Sequence, residues 1–334
     1  MDRLRQGSQR RRGRAARGAP GHDQLRRAAL YAVIAGVGWG LLAPSSKWLF
    51  LGGGGASFDG YSLAVARAAW AAPCSALIAA AVWPRGRTIG RADALRFLAA
   101  ALLVGFGLNL LFQIGTQLTS AAHVVLFQGF IPIALAAVEA VFFKRVLTAA
   151  QRAGLVAGGL GVALLTLGRS GHGASLAGDA IMFGWIGVFA AYSLVTRKLT
   201  QTYPPLFVSA LAWGGGFAIV ALAGAASVPA AIAHSLVSPQ VAAVIFVGLV
   251  AASGLVAPAA HATAVRSGGV ALATSGSQYA AIVTGLALSF GVLGESLSPL
   301  GIAGASLMVA GLVLTLLPAP GGARAARAAR PELP

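Results

Sequence analysis

Ten apolar runs, each about as long as a bilayer is thick, follow one another along the chain with connectors too short to fold by themselves. A spanning helix needs about 20 mostly apolar residues. The runs near 28–49, 61–83, 95–115, 120–143, 149–168, 178–196, 205–226, 241–264, 269–294 and 299–317 roughly meet that length. Turn-forming residues punctuate them at Gly52–Gly55, Trp83–Gly86, Arg169–Gly173, Tyr203–Pro205 and Ser298-Pro299. Charge follows the same plan. Residues 1–27 and 319–334 hold 15 of the 33 charged residues, and the other 291 positions hold only 18. Soluble domains carry about 25% charged residues, so a stretch this poor in charge cannot present a hydrated surface. A soluble enzyme is excluded. The net charge of +17 does not point to nucleic acid either, because the basic residues sit in tails and connectors. The expected fold class is an all-α membrane protein with ten transmembrane helices. The first run continues past any A-x-A-like site, so no cleaved signal peptide is expected. The single Cys74 forms no internal disulfide and reads as a small core residue.

Lys and Arg placement orients the spans, since cytoplasmic loops collect positive charge. With both termini inside, the inner side receives 22 of the 25 basic residues, the outer side receives Lys47 and Arg169, and Arg67 lies within a span. The expected topology is N-in/C-in. The basic segments 1–27 and 318–334 read as disordered cytoplasmic tails. The lipid bilayer is one partner, and the plasma membrane (a bacterial inner membrane) is the expected location.

An offset of 150 residues aligns the two halves without gaps. It pairs Gln128 with Gln278, Gly154 with Gly304, Gly161 with Gly311 and, at the ends of the first and sixth spans, Lys47 with Arg197. Five spans per repeat is an odd number, so the second copy, 178–317, enters the membrane inverted relative to the first, 28–168. Two inverted five-helix repeats are the plan of many secondary transporters, with the solute site between the halves.

Several segments also resemble a known family. Val37-Gly38-Trp39-Gly40 is similar to the Trp-Gly motif that opens EamA-type transporters of the drug/metabolite transporter superfamily. Arg67 matches a recurrent Arg in their second span. Ser120–Pro132 resembles their fourth span, Gly178-Asp179 the start of the sixth, and Gly291–Ser298 with Gly301, Gly304 and Gly311 the ends of the ninth and the Gly-rich tenth. Two positions depart from the pattern. Phe143-Lys144-Arg145 stands where the first repeat would carry Gly-Glu, and Ile282 stands where the ninth span would carry Pro. The resemblance implies ten spans and transport of amino acids, other metabolites or drugs.

Polar groups inside hydrocarbon are costly and normally face the bundle interior or a wet cavity. Asn109, Gln113, Thr116 and Gln117 share one helical face of the third span. They either line a solute pathway or tie helices together by hydrogen bonds. Gln128 and Gln278 occupy one repeat position. His261 lies deep in the eighth span, while His123 and the ends marked by Asp59, Asp179 and Glu295 suggest interfacial bonding and capping. Arg67 either attracts an anionic group or snorkels outward past Tyr61. Trp39, Trp185, Tyr192 and Trp213 stack on solute or pack against helices. The expected cavity residues are Trp39, Arg67, Asn109, Gln113, Gln128, Tyr192, His261 and Gln278. Glu139, the one carboxylate well inside a span, is the candidate for proton coupling, with a counter-substrate as the other form of coupling.

No catalytic residues, metal ligands or cofactor motifs are evident: H-E-x-x-H, P-loop, CxxC and strand-borne G-x-S-x-G are absent. The expectation is a secondary transporter of small metabolites working as an exporter, monomeric or homodimeric. A membrane-embedded enzyme or a sensor is the alternative class. The former would need titratable groups that converge, and the latter a signalling domain.

Overall fold

The computed structural model describes residues 22–84, 88–144, 146–168, 175–268 and 270–316, and every regular element among them is helical. Most of both basic tails lies outside the described residues. Among the described residues, eight helices are long and apolar enough to cross a membrane. They are α1 (Asp23–Phe50), α2 (Gly60–Ala81), α3 (Arg91–Leu118), α4 (Ala121–Phe142), α5 (Ala149–Leu167), α6 (Leu176–Thr202), α7 (Pro205–Ala223) and α8 (Pro239–Ala264). The last two apolar runs also form helices, α9 (Val270–Gly291) and α10 (Pro299–Leu316). α9 is the more polar of the two, with Ser275, Ser277, Gln278 and Tyr279 at its middle.

Two elements exceed the apolar pattern. α6 continues to Thr202 because Arg197 and Lys198 extend the helix beyond its apolar stretch without breaking it. A short helix, Val228–Ser235, forms between α7 and α8, started by Pro229 in its first turn and seated through Ala231 and Ser235.

The helices pack in a definite order. α1 lies against α8 and α9, α2 against α7, α3 against α6 and α7, α4 against α9, and α5 against α10. Lipid tails are as apolar as leucine, so close backbone approach at small residues drives such pairing. A Cβ on Gly154 would come within 2.7 Å of the Gly311 carbonyl, and one on Gly311 within 2.7 Å of the Gly154 carbonyl. Gly161 and Gly304 face each other in the same way, also at 2.7 Å. The 150-residue offset exchanges the two pairs, turning 154 into 304 and 311 into 161. The first helix uses glycine likewise. Gly38 rests on the Ala252 carbonyl of α8 and Gly40 on the Ala281 carbonyl of α9, where added Cβ atoms would sit at 2.6 and 2.7 Å.

Two helices depart from α geometry at mid-length. Leu103–Leu111 of α3 and Val244–Val256 of α8 are π-helical. Such wider turns recur at functional sites and turn carbonyl groups away from their own helix. Both segments face the same buried group.

Candidate functional site

That group is Arg67. It sits on α2, 1% exposed, between the two π-helical segments. Its Nε donates to the Leu249 carbonyl at 3.1 Å, its Nη1 to Asn109 Oδ1 at 3.4 Å and its Nη2 to Ser253 Oγ at 3.4 Å. The guanidinium carbon lies 5.3 Å from the centre of the Phe217 ring. All four partners are neutral. Among the described residues no carboxylate stands within ion-pair distance of this cation. Asn109 turns its amide nitrogen to the Ala64 carbonyl at 3.1 Å, so it orients the guanidinium while tying α3 to α2. Of the two outcomes open to Arg67, the inward one is observed.

The other polar residues of that face of α3 divide. Gln117 is exposed and accepts a hydrogen bond from the Gly60 backbone N–H at 2.8 Å, joining helices. Gln113 is fully buried, and neither its Nε2 nor its Oε1 has a hydrogen-bond partner among the described residues. Gln128 is buried with Oε1 likewise unpartnered, and so is Trp70 Nε1. Trp39 and His261 meet at 5.2 Å between ring centroids, and His261 Nδ1 is 3.4 Å from Ser277 Oγ. Tyr192 accepts from Trp213 Nε1 at 3.1 Å. It belongs to an aromatic chain running from Phe112 through Trp185, Phe189, Tyr192 and Trp213 to Phe217. Gln278 is half-buried on α9. The Glu139 side chain lies outside the described residues. Thus the structure brings Arg67 and Asn109 together, and Trp39 and His261 together, as two separate clusters.

A third cluster, unforeseen as a unit, closes one end of the bundle. Lys47, 7% exposed, donates from Nζ to the carbonyls of Thr116, Gln117 and Thr119 at 3.4, 3.2 and 2.7 Å. It thereby caps the C-terminus of α3, where the helix dipole is negative. Glu295 does the converse at the N-terminus of α4, accepting from the Ala121 and Ala122 N–H groups at 2.7 and 2.8 Å. Asp179, 2% exposed, accepts from Thr119 Oγ1 at 2.7 Å and pairs with His123 Nδ1 at 3.2 Å. The α3–α4 turn is therefore gripped from α1, from α6 and from the segment after α9. The sequence signal is present, four ionisable residues at ends of apolar runs, but nothing local says that they converge on one turn.

The opposite end is closed by packing rather than charge: Phe97, Tyr203 and Phe207 cluster there, and the Tyr203 hydroxyl donates to Asp93 at 3.2 Å. A small hollow of about 20 Å³, room for about one water, lies between α2, α7 and α8, lined by Ser75, Ser209, Trp213, Gly254 and Pro258 among others. A second depression lies between α3 and α6 at Arg96 and Lys198. Among the described residues no three His, Cys, Asp or Glu side chains converge in a way that would hold a metal ion.

Comparison with known proteins adds to this geometry. Residues 26–167 match the model of the EamA-like transporter family. These residues are similar to that family. The family is part of the drug/metabolite transporter superfamily. A solved structure described only as the crystal structure of a protein is 18% identical, with a TM-score of 0.52, covering 86% of this chain and 96% of its own. That likeness shows the fold alone. No curated protein matches by sequence.

Within the EamA-like half, the motif residues now have physical duties. Gly38 and Gly40 let α1 approach α8 and α9, which places Trp39 against His261. Arg67 reaches across to the second half at Leu249, Ser253 and Phe217. Ser120 caps the first turn of α4 by accepting from the His123 N–H. The match and the eight long apolar helices agree with a multi-pass membrane setting.

Proposed function

We propose that this EamA-like chain is a secondary transporter that exports small metabolites by alternating access across the plasma membrane, a bacterial inner membrane. Its ten helices act as two inverted repeats, 28–168 and 178–317, with both termini in the cytoplasm. The exchange of the glycine pairs 154–311 and 161–304 by one offset supports the repeat. So does the placing of π-helical segments in α3 and α8, the third helix of each half.

The observation that carries the reading is the difference between the two ends. Three charged residues and a histidine seal the α3–α4 turn at the end assigned to the outside. The hollow at Trp213 and the depression at Arg96 lie toward the end rich in Lys and Arg, which the positive-inside rule places in the cytoplasm. Arg67, Asn109, Gln113, Gln128, Tyr192, Trp39, His261 and Gln278 then line the path a solute takes once the clamp releases. Glu139 is the coupling carboxylate if export is exchanged for protons.

Counterflow in proteoliposomes tests this. Vesicles preloaded with a solute accumulate the labelled form transiently when a carrier is present. Failure of every member of a broad metabolite pool to exchange would remove the proposal.

A further inference from the structure

We infer that the solute is a small organic acid whose carboxylate is received by Arg67. A cation within hydrocarbon is expensive and is normally paired. Here the guanidinium is 1% exposed and faces only a carbonyl, an amide oxygen, a hydroxyl and a ring. Guanidinium offers five N–H donors, and these neighbours engage three, two of them at the long distance of 3.4 Å. The fork has donors to spare, and it is the group best shaped for two-pronged carboxylate recognition.

Two nearby groups are in the same unfinished condition. Gln113 lies one turn beyond Asn109 on α3, fully buried with both amide atoms unpartnered. Trp70 lies one turn beyond Arg67 on α2, and its Nε1 is buried without an acceptor. A buried polar group left without a hydrogen bond is costly. Because α2 and α3 run antiparallel, Gln113 and Trp70 flank Arg67 on opposite sides, and each suits a ligand that accepts. A small hollow lies close to this group. Its wall includes Gly254, next to Ser253, and Trp213, whose ring touches Phe217 at 5.9 Å. Ser253 and Phe217 are themselves Arg67 partners. The body of the acid would be seated beside Trp213 once the helices around that hollow part.

The inference rests on the transporter reading for its physiological sense, so its test separates the two. The full-length protein in lipid nanodiscs is titrated with benzoate, benzamide and benzylamine, followed by tryptophan fluorescence. Benzoate is expected to bind, and the neutral and cationic analogues to bind at least about tenfold more weakly, as the loss of a charge-assisted hydrogen bond implies. Arg67→Gln should erase the preference, and Arg67→Lys should retain part of it, since the charge survives and the fork does not. Should R67Q fail to fold, the wild-type comparison still decides. Equal binding of benzoate and benzamide, or no binding of benzoate, overturns the inference. Selective benzoate binding without counterflow of any solute would uphold the acid site and sink the transporter. Counterflow of neutral or cationic solutes that excess benzoate leaves untouched would do the reverse.

Discussion

Arg67 and Phe217 stand 150 residues apart in the chain and meet at its centre, the guanidinium 5.3 Å from the ring. The offset that aligns the two halves makes these the same position in each, on α2 and on its packing partner α7. One half thus supplies a cation and the other a ring face to receive it. A desolvated pair of this kind is worth about 2 kcal/mol. Phe217→Leu and Arg67→Met are each expected to lower stability, and the double variant by less than the two effects together. A double-mutant cycle on unfolding in mixed micelles measures that coupling, and strict additivity would show the contact to be idle.

The reciprocal glycine pairs give a sharper packing prediction. Gly311→Ala places a methyl carbon against the Gly154 carbonyl and the Gly158 amide, with no flexible side chain to yield. A loss of about 1–3 kcal/mol is expected, as for other overpacked cores. Gly159, two residues from the α5 contact at Gly161, has nothing within 4 Å of an added Cβ. Gly159→Ala should therefore be neutral or raise stability by up to about 1 kcal/mol, through helix propensity alone. Thermal midpoints of the two variants in the same detergent check the contrast.

Lys47, Asp179 and Glu295 should hold the α3–α4 turn closed. Lys47→Met leaves the carbonyls of Thr116, Gln117 and Thr119 without their cation, and Asp179→Ala strands Thr119 and His123. Either change is expected to loosen that end. In a Cys74→Ser background carrying Thr116→Cys, a membrane-impermeant maleimide should label the wild-type clamp slowly, since Thr116 is fully buried. It should label both clamp variants faster. Equal rates would mean that the cluster does not control access.

Asp59 makes a prediction about pH. Its carboxylate caps α2, accepting from the Ser62 N–H at 2.6 Å while Ser62 Oγ receives the Asp59 N–H. The Ser62 backbone bond, above all, holds this carboxyl below its usual value. A depressed folded-state pKa means stability that is fully present above the unfolded carboxylate range and is lost as pH falls through the lower folded value. Asp59→Asn should flatten that part of the acid dependence of the thermal midpoint, and Asp59→Ala should cost about 1 kcal/mol at neutral pH.

The helices were readable because hydrocarbon forces every backbone group to bond within its own segment, so apolar length alone marks them. The packing that matters was readable in part. Gly154, Gly161, Gly304 and Gly311 stood out as repeated, though not that they pair crosswise. The π-helical turns of α3 and α8 leave no mark in composition, since a single extra residue per turn obeys no local residue preference. Arg67 was visible as the one cation within a span, with Asn109 as one of several amides. Its acceptors could not be foreseen, because Leu249 contributes a carbonyl and Phe217 a ring, features that any residue or any aromatic offers. The clamp escaped for a related reason. Lys47, Asp179 and Glu295 each read as an ordinary helix-end charge, and only the fold brings three distant ends to one turn.

The central claim is that a solute crosses between the halves when the clamped end opens. The most direct measurement is counterflow through a chain whose clamp can be locked. Cysteines at Lys47 and Thr119, in a Cys74→Ser background, are joined by a reducible cross-linker in proteoliposomes preloaded with the exchanged acid. The account predicts that exchange stops on cross-linking and returns on reduction. Exchange that continues unchanged with the clamp locked would contradict it.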